Sequence, residues 1–418
     1  MAPATKVWLP RENPAAYFNH RKHGLKPLKK RSFSSVKEEE ASKEDYLKGI
    51  GFVYELFPSK KAKKTSECDE EAYLRREKVA SYADQLRTKK MQATKVRGDW
   101  SQRSASAQRG LANFTGVLCY RHSLFQALLH QPKFVNWLEE YHRPEHCVSE
   151  SRERCVSCQL RVLSRVYWGR VGCPKSQLNQ ILVDIDKIFR QRGWRPDSGS
   201  GGQADPEEQV SWILKQIREE VPSEFFAYLE ASHLLVTNSI VKCNRCGKES
   251  KTEAHTEGGL SVPIQPAIRP KPGSLTAYLQ RYMDEIVEDY RCEGCQDKGK
   301  KFRTQNIQHA PDILLVQLKR FSWDGSKDSS PVSISVGLDL NRYRDTENES
   351  QLRYELTAVI QHSGSTGSGH YVCSARGPDG KWYCFNDSTV STTDIAAAVG
   401  GNGRGLFTPY MLYFQRKE

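Results

Sequence analysis

The sequence predicts an α+β fold in which helices come first along the chain and strands dominate the second half. Apolar residues recur at helical spacing before residue 224, and mostly apolar or alternating runs of strand length follow it. This separation of helices from strands is typical of the α+β class. Helices are predicted at 119–142, 155–168, 175–192 and 206–221, and strands at 232–243, 312–321, 354–363, 370–376 and 381–387.

The composition indicates a globular protein that works in a reducing compartment. The 418 residues suit two or three domains, and the hydrophobic share of 38% allows a sizeable core. No apolar run approaches the length of about 18 residues that would cross a membrane, and the N-terminus lacks the apolar stretch of a secretory signal. We therefore expect a nuclear or cytoplasmic protein whose 12 cysteines are thiols and metal ligands.

The net charge of +13 is concentrated in the first quarter of the chain. Residues 1–100 contain 23 Lys and Arg against 14 Asp and Glu, with basic runs at 29–31 and 60–64 that resemble nuclear-import signals. Such an arm suits an acidic or nuclear partner, and a solvated, disordered leader explains the same charge. We expect residues 1–109 to be a largely disordered extension with a helix at 69–97.

A glycine-bearing turn at 110–118 leads into Cys119 at the predicted start of a helix. The positive end of the helix dipole lowers the pKa of a thiol there and favours the thiolate, which is the attacking species in nucleophilic catalysis. A cysteine alone is more often a small buried side chain. The hypothesis of a nucleophile therefore needs a base.

His370 is the candidate base, because it begins a predicted strand after a glycine-rich loop at 364–369. Asn386 and Asp387 end the next strand of a predicted hairpin. Neighbouring antiparallel strands hold side chains about 5 Å apart, so either residue could orient His370 as the third member of a catalytic group.

These segments resemble the ubiquitin-specific protease family. Its cysteine box is similar to Gly110–Asn113 followed by Cys119, Tyr120, Ser123 and Gln126. Its histidine box is similar to His362-Ser363-Gly364, Gly369-His370-Tyr371 and Phe385-Asn386-Asp387. Two further family strands match Leu318–Phe321 and Tyr410–Tyr413, so the resemblance covers about residues 110–416.

The resemblance implies a papain-like core at 110–416, with a helical thumb, a β-rich palm and a zinc-stapled β insertion, the fingers, at about 232–310. It implies hydrolysis of the (iso)peptide bond after the C-terminal glycine of ubiquitin, with ubiquitin and ubiquitinated proteins as partners. Carried over by position, Cys119 is the nucleophile, His370 the base and Asp387 the acid that orients it, with Asn386 beside them.

Several residues near Cys119 depart from the family pattern. Val117 stands where the family usually has the asparagine that helps to stabilise the oxyanion, and Thr115 resembles an insertion. Loss of one such donor typically costs about 10²–10³ in rate. Arg121 and His122 replace the usual methionine and asparagine. Two expectations stay open: a slow enzyme that needs an activating partner, and a ubiquitin-binding scaffold with impaired chemistry.

Two Cys-x-x-Cys pairs, Cys243 with Cys246 and Cys292 with Cys295, predict a structural zinc site. Four thiolates are a common ligand set for tetrahedral Zn²⁺, and the resemblance assigns them to the fingers. A zinc-ribbon nucleic-acid-binding protein is the remaining alternative, prompted also by the basic arm. That alternative explains neither the cysteine box nor the histidine box.

A second cluster of zinc-type ligands follows the predicted catalytic helix. Cys155 and Cys158, together with Cys147 and one of the two residues His142 and His146, could form a Cys₃His zinc site. The alternative is that Cys155 and Cys158 face the core at the start of a helix. The spacing does not choose between the two histidines.

Overall fold

The computed structural model of the protein describes residues 84–100, 103, 108–169, 174–195, 203–265, 273–322, 325–346, 349–365, 368–400 and 407–417. Most of the basic arm, including its two basic runs, lies outside these residues. So does the first part of the helix predicted at 69–97. Its described part is helical over 84–93.

Helices dominate the first half of the described chain, which confirms the α+β class. They are α1 (Cys119–Leu129), α2 (Pro132–Glu140), α3 (Val156–Trp168), α4 (Lys175–Gln191), α5 (Pro206–Glu220), α6 (Ser223–His233), α7 (Leu275–Met283) and α8 (Ile395–Gly400). Among the described residues, no helix combines the length and apolar character needed to cross a membrane.

Two parts of the helix prediction were wrong. The segment 119–142 forms two helices, because Pro132 has no N–H to donate and occupies the first turn of α2. Strands were predicted from residue 224, yet α6 covers the first ten residues of that region. Phe226 and Leu229 of α6 are buried three residues apart, and this helical stripe outweighs the strand preference of the aromatic residues.

The strands of the described residues form an eight-stranded sheet, a five-stranded sheet and a two-stranded pair. They are β1 (Leu235–Lys242), β2 (Glu249–Lys251), β3 (His255–Glu257), β4 (Leu260–Pro263), β5 (Gly273–Ser274), β6 (Asp284–Arg291), β7 (Lys298–His309), β8 (Ile313–Lys319), β9 (Val332–Ser333), β10 (Gly337–Asp339), β11 (Arg353–Gly364), β12 (Gly369–Arg376), β13 (Trp382–Asn386), β14 (Thr389–Thr393) and β15 (Thr408–Arg416). The large sheet runs β14-β13-β12-β11-β15-β8-β4, with β10 also paired to β11.

The central strands of the large sheet are buried on both faces. Along β15, Met411 and Tyr413 join the hydrophobic cluster that includes α1 to α6, whereas Leu412 and Phe414 join the cluster that includes α7. Successive residues of a strand point to opposite faces, so this alternation places the helical layer on one side of the sheet. Helix α1, which carries Cys119, packs in that layer against β12.

The five-stranded sheet corresponds to the predicted fingers and runs β2-β1-β7-β6, with β3 also paired to β1. The interval 232–310 is nevertheless interrupted. Strand β4 pairs in parallel with β8 of the large sheet, and α7 contributes Leu275 and Tyr278 to the same core. Buried Leu260 and Val262 alternate along β4, which ties this part of the interval to the palm.

The segment 84–100, here called the leading segment, packs on the helical layer. Leu86 and Val96 are buried, and the Asn136 side chain of α2 donates to the backbone oxygens of Arg97 and Asp99 at 2.8 and 3.0 Å. Trp100 contacts Trp168 with ring centroids 5.3 Å apart. Packing therefore continues on the N-terminal side of residue 110, where the folded part was predicted to begin.

Candidate active site

Cys119 is the first residue of α1, as the sequence predicted, and its side chain is buried at 2% exposure. The turn before it is held by Asn113, whose Oδ1 accepts a hydrogen bond from the Leu118 N–H at 3.3 Å. The first N–H groups of a helix have no acceptor within the helix. In α1 the N–H groups of Arg121 and His122 donate to the Leu118 oxygen. The two groups before them, on Cys119 and Tyr120, are therefore the candidates to stabilise a developing negative charge.

His370 lies at the start of β12, in contact with Cys119 and Asn386. Its Nε2 is 2.7 Å from Oδ1 of Asn386. A hydrogen bond with Cys119 is the main reason that the pKa of His370 is raised to about 9, with a smaller contribution from Asn386 and an opposing one from burial. A raised pKa makes this imidazole a stronger base, which suits it to accept a proton from Cys119.

Asp387 is directed elsewhere than the sequence predicted. Its Oδ1 is 3.1 Å from Nδ1 of His122, and its Oδ2 accepts from the Asn113 side-chain amide at 3.1 Å. Its backbone has a left-handed φ of 48° beyond the end of β13, which turns its side chain away from that of Asn386. The expectation that Asp387 orients His370 is corrected: Asn386 is the residue that makes this hydrogen bond.

The environment of Asp387 keeps its carboxylate ionised. Burial by itself would raise the pKa of this group, but hydrogen bonds from His122 and Asn113 outweigh burial and lower it. The N–H of Leu111 also donates to the Asp387 backbone oxygen at 2.7 Å. The cysteine box and the end of the histidine box are thus joined through both backbone and side chain.

Close packing around Gly110 explains why a glycine precedes the nucleophile segment. A Cβ at Gly110 would lie 2.2 Å from the backbone oxygen of Ser388, so only glycine allows this approach. Gln126 of α1 holds the preceding residue by donating to the Arg109 oxygen at 2.7 Å. Tyr167 of α3 donates to Gln126 at 2.8 Å, which extends the support to the next helix.

Sequence reasoning missed Gln203, which supports the histidine segment, and Asp205, which bonds β15. The side-chain amide of Gln203 bonds both backbone groups of Gly369, at 3.2 and 3.3 Å, next to His370. Asp205 accepts from Tyr410 and from the Glu207 N–H, and burial raises its pKa to about 7. The available signal was an aspartate before a proline, which is typical of a helix N-cap.

The Thr115–Val117 loop has no side-chain amide that could replace the missing asparagine. Gly116 has a φ of 74°, and the Val117 N–H is 3.5 Å from the Thr115 hydroxyl. That hydroxyl faces its own loop. Backbone N–H groups at the start of α1 are therefore the oxyanion donors that the described residues offer.

The four cysteines of the fingers meet at one point. Their sulfur atoms lie within 4.8 Å of one another, with 3.7 Å between Cys243 and Cys295 and 3.6 Å between Cys246 and Cys292. Two sulfurs on a tetrahedral zinc, each bonded at about 2.3 Å, lie about 3.8 Å apart. The donor set and its spacing fit structural Zn²⁺, which in such a site cross-links the chain and takes no part in chemistry.

The second cluster also comes together, and it contains His142 rather than His146. The ligand atoms of His142, Cys147, Cys155 and Cys158 lie within 4.8 Å of one another. Nε2 of His142 is 3.1 Å from the sulfur of Cys158 and 3.5 Å from that of Cys155. His146 instead packs its ring on Phe225 and bonds the Tyr141 oxygen. Cys₃His is an established zinc ligand set.

A cysteine at the start of a buried helix, with a histidine and an asparagine on adjacent strands, defines a papain-like cysteine protease site. The family model described as "Ubiquitin carboxyl-terminal hydrolase" matches residues 109–414. The chain belongs to this family, which confirms the resemblance predicted from sequence.

Curated relatives are similar in sequence, and solved structures share the fold. "Ubiquitin carboxyl-terminal hydrolase 36" of Drosophila melanogaster is 27% identical over 342 residues, which is 77% of this chain and 31% of the relative. This chain therefore matches about a third of that relative's length. A SAGA DUB module of Ubp8, Sgf11, Sus1 and Sgf73 bound to monoubiquitin has a TM-score of 0.63 at 22% identity, covering 75% of this chain and 70% of that one. The module bound to ubiquitin aldehyde has a TM-score of 0.61 at 21% identity, with 78% and 72% covered.

Proposed function

We propose that this chain is a thiol-dependent deubiquitinase that hydrolyses the (iso)peptide bond after the C-terminal glycine of ubiquitin. The observation that carries the proposal is the contact of His370 with two residues: Cys119, which begins a buried helix, and Asn386, which ends the neighbouring strand. Membership of the ubiquitin carboxyl-terminal hydrolase family supports the substrate class. Ubiquitin and ubiquitinated proteins are the proposed partners.

In the proposed reaction, His370 takes the proton of Cys119 and the thiolate attacks the carbonyl carbon of the ubiquitin C-terminal glycine. N–H groups at the start of α1 stabilise the oxyanion. The C–N bond then breaks, and His370 gives its proton to the departing amine, which leaves a thioester on Cys119. His370 next deprotonates a water molecule that attacks the thioester, and ubiquitin is released with a free carboxylate.

We propose that the cluster of Cys243, Cys246, Cys292 and Cys295 binds one structural Zn²⁺ and that the cluster of His142, Cys147, Cys155 and Cys158 binds a second. The interatomic distances in both clusters support this assignment. In each case the metal ties together two segments that are separated along the chain.

The absence of a side-chain donor at Val117 supports a low basal rate and an activating partner. The SAGA modules that resemble this chain contain further subunits beside Ubp8. A catalytically impaired ubiquitin-binding scaffold is the second candidate function, favoured by the same residue. An acidic or nuclear partner for residues 1–109, a nuclear or cytoplasmic location and the 110–416 boundary of the catalytic domain remain predictions.

Reaction with ubiquitin that carries a C-terminal electrophile tests the proposal. We expect one adduct that is absent in Cys119→Ala and retained in Cys384→Ala, a control cysteine of β13. Hydrolysis of a ubiquitin C-terminal fluorogenic amide should follow the same pattern. Tight ubiquitin binding without an adduct or turnover would favour the scaffold, and an adduct that persists in Cys119→Ala would exclude Cys119 as nucleophile.

A further inference from the structure

His122 lies three residues after Cys119 on α1 and is 3% exposed. Its Nδ1 is 3.1 Å from Oδ1 of Asp387, and the other oxygen of that carboxylate accepts from Asn113 at 3.1 Å. Both oxygens of Asp387 are thereby occupied by donors from the cysteine segment. The Asp387 carboxylate is therefore bonded to His122 and Asn113 of the cysteine segment and not to His370 of β12.

We infer that His122 is a positioning residue, which together with Asn113 holds the Asp387 carboxylate away from His370 and so leaves neutral Asn386 as the hydrogen-bond partner of the catalytic imidazole. This inference rests on the proposed function. The anion of Asp387 still raises the pKa of His370 through space. His370 thus combines a neutral orienting partner with a nearby but separate negative charge.

The charges around the two histidines determine how pH acts on this arrangement. His122 faces Asp387, Arg121 of its own helix and Asp186 of α4, and burial lowers its pKa. It is therefore neutral near pH 7, with Nδ1–H as the donor to Asp387. His370 faces Cys119, Asn386 and Asp387. Burial lowers the pKa of His362 on β11, and the charges of Lys327 and His370 lower it further.

Removing His122 should release Asp387 toward His370. An anion that approaches an imidazolium raises its pKa, so in His122→Ala we expect the alkaline limb of the kcat/KM–pH profile to move upward by up to about one unit. We also expect kcat to fall about tenfold or more, a magnitude that corresponds to the loss of the one hydrogen bond between His122 and the charged carboxylate of Asp387. Binding of ubiquitin to the Cys119→Ala form should stay within about twofold, since His122 is a buried residue of α1 and its inferred role concerns Asp387.

His122→Asn is the conservative rescue. The Nδ2 of asparagine and the Nδ1 of histidine are both three bonds from Cα, so asparagine can present a donor to the same oxygen of Asp387. Because a smaller side chain also leaves a cavity, His233→Asn on α6 is the matched control. His233 is a buried histidine that bonds the Leu229 oxygen and has no contact with the active site. We expect it to lower stability without moving the pH profile.

A double-substitution cycle tests the inference against a merely structural role. Asp387→Asn removes the anion and should move the alkaline limb downward. In that background His122→Ala should cause no further shift of the limb, because no carboxylate remains to be released. An equal upward shift in both backgrounds, or a single His122→Ala variant with an unchanged profile and kcat, would overturn the inference. The wild-type adduct with the ubiquitin electrophile is measured first, so failure of the proposed function is recognised separately.

Discussion

Leu86 offers a direct test of whether the leading segment is part of the folded unit. It belongs to the helical stretch 84–93 and is 1% exposed, whereas Met91 on the same stretch is 64% exposed. Leucine and methionine have similar helix propensities and sizes, so replacing each by alanine changes local helicity almost equally. The two variants therefore differ mainly in how much buried contact they remove.

The expected magnitudes are well separated. Truncating a fully buried leucine to alanine typically costs about 2–5 kcal/mol of the free energy of unfolding. An exposed substitution such as Met91→Ala should stay within about 0.5 kcal/mol. Other contacts also hold the segment, including the ion pair of Lys89 with Glu230 at 3.0 Å and the Tyr141 hydroxyl on the Lys95 oxygen at 2.6 Å. The segment should remain attached, but more weakly.

Two measurements show how the lost contact of Leu86→Ala affects the protein: urea unfolding followed by tryptophan fluorescence, and limited trypsin digestion. If the segment unfolds with the core, Leu86→Ala lowers the urea midpoint. If the segment detaches first, the midpoint changes less and trypsin cleaves sooner within 84–100. Leu86→Ala and Met91→Ala that behave alike in both assays would refute the packing described for this segment.

Three further outcomes are expected. Elemental analysis should find about two zinc ions per chain in the native protein and about one in His142→Ala, whereas His146→Ala should keep both. Asn386→Ala should move the alkaline limb of the kcat/KM–pH profile to lower pH. The hydrogen bond from His370 to Asn386 helps to raise the pKa of the imidazole to about 9, and the variant removes that bond. An unchanged limb would contradict the assigned contact. Gly110→Ala should lower kcat/KM by about tenfold or more, because the added Cβ would lie 2.2 Å from the Ser388 backbone oxygen. Gly258→Ala is the control, since a Cβ there has no neighbour within 4 Å, and it should leave kcat/KM unchanged.

Local sequence signals identified most of the chemistry. Cys119 was recognisable because a glycine turn precedes an apolar helix, and His370 because a glycine loop precedes a strand that pairs with another. The paired cysteines of the fingers were predicted from spacing alone, since two short knuckles can supply four thiolates wherever the intervening chain runs. These signals work because each residue is marked by its own neighbours in sequence, although only the fold brings Cys119 and His370 together.

The remaining details depend on side-chain direction, which spacing does not determine. Asn386 and Asp387 are adjacent, and only the left-handed backbone of Asp387 decides which of them meets His370. Likewise, His142 and His146 are four residues apart, and packing of His146 on Phe225 selects His142 for the cluster. Neither the backbone turn nor the distant phenylalanine is marked in the local pattern.

Strand β15 has a consequence for how this protein is made. It is formed by residues 408–416 but lies between β11 and β8 inside the large sheet, paired to both. A ribosome delivers the nucleophile long before this strand, and domains on a growing chain fold as their residues emerge. The sheet that carries His370 cannot close until residue 416 has left the ribosome. A nascent chain should therefore lack the proposed activity until this last strand has emerged and taken its place between β11 and β8.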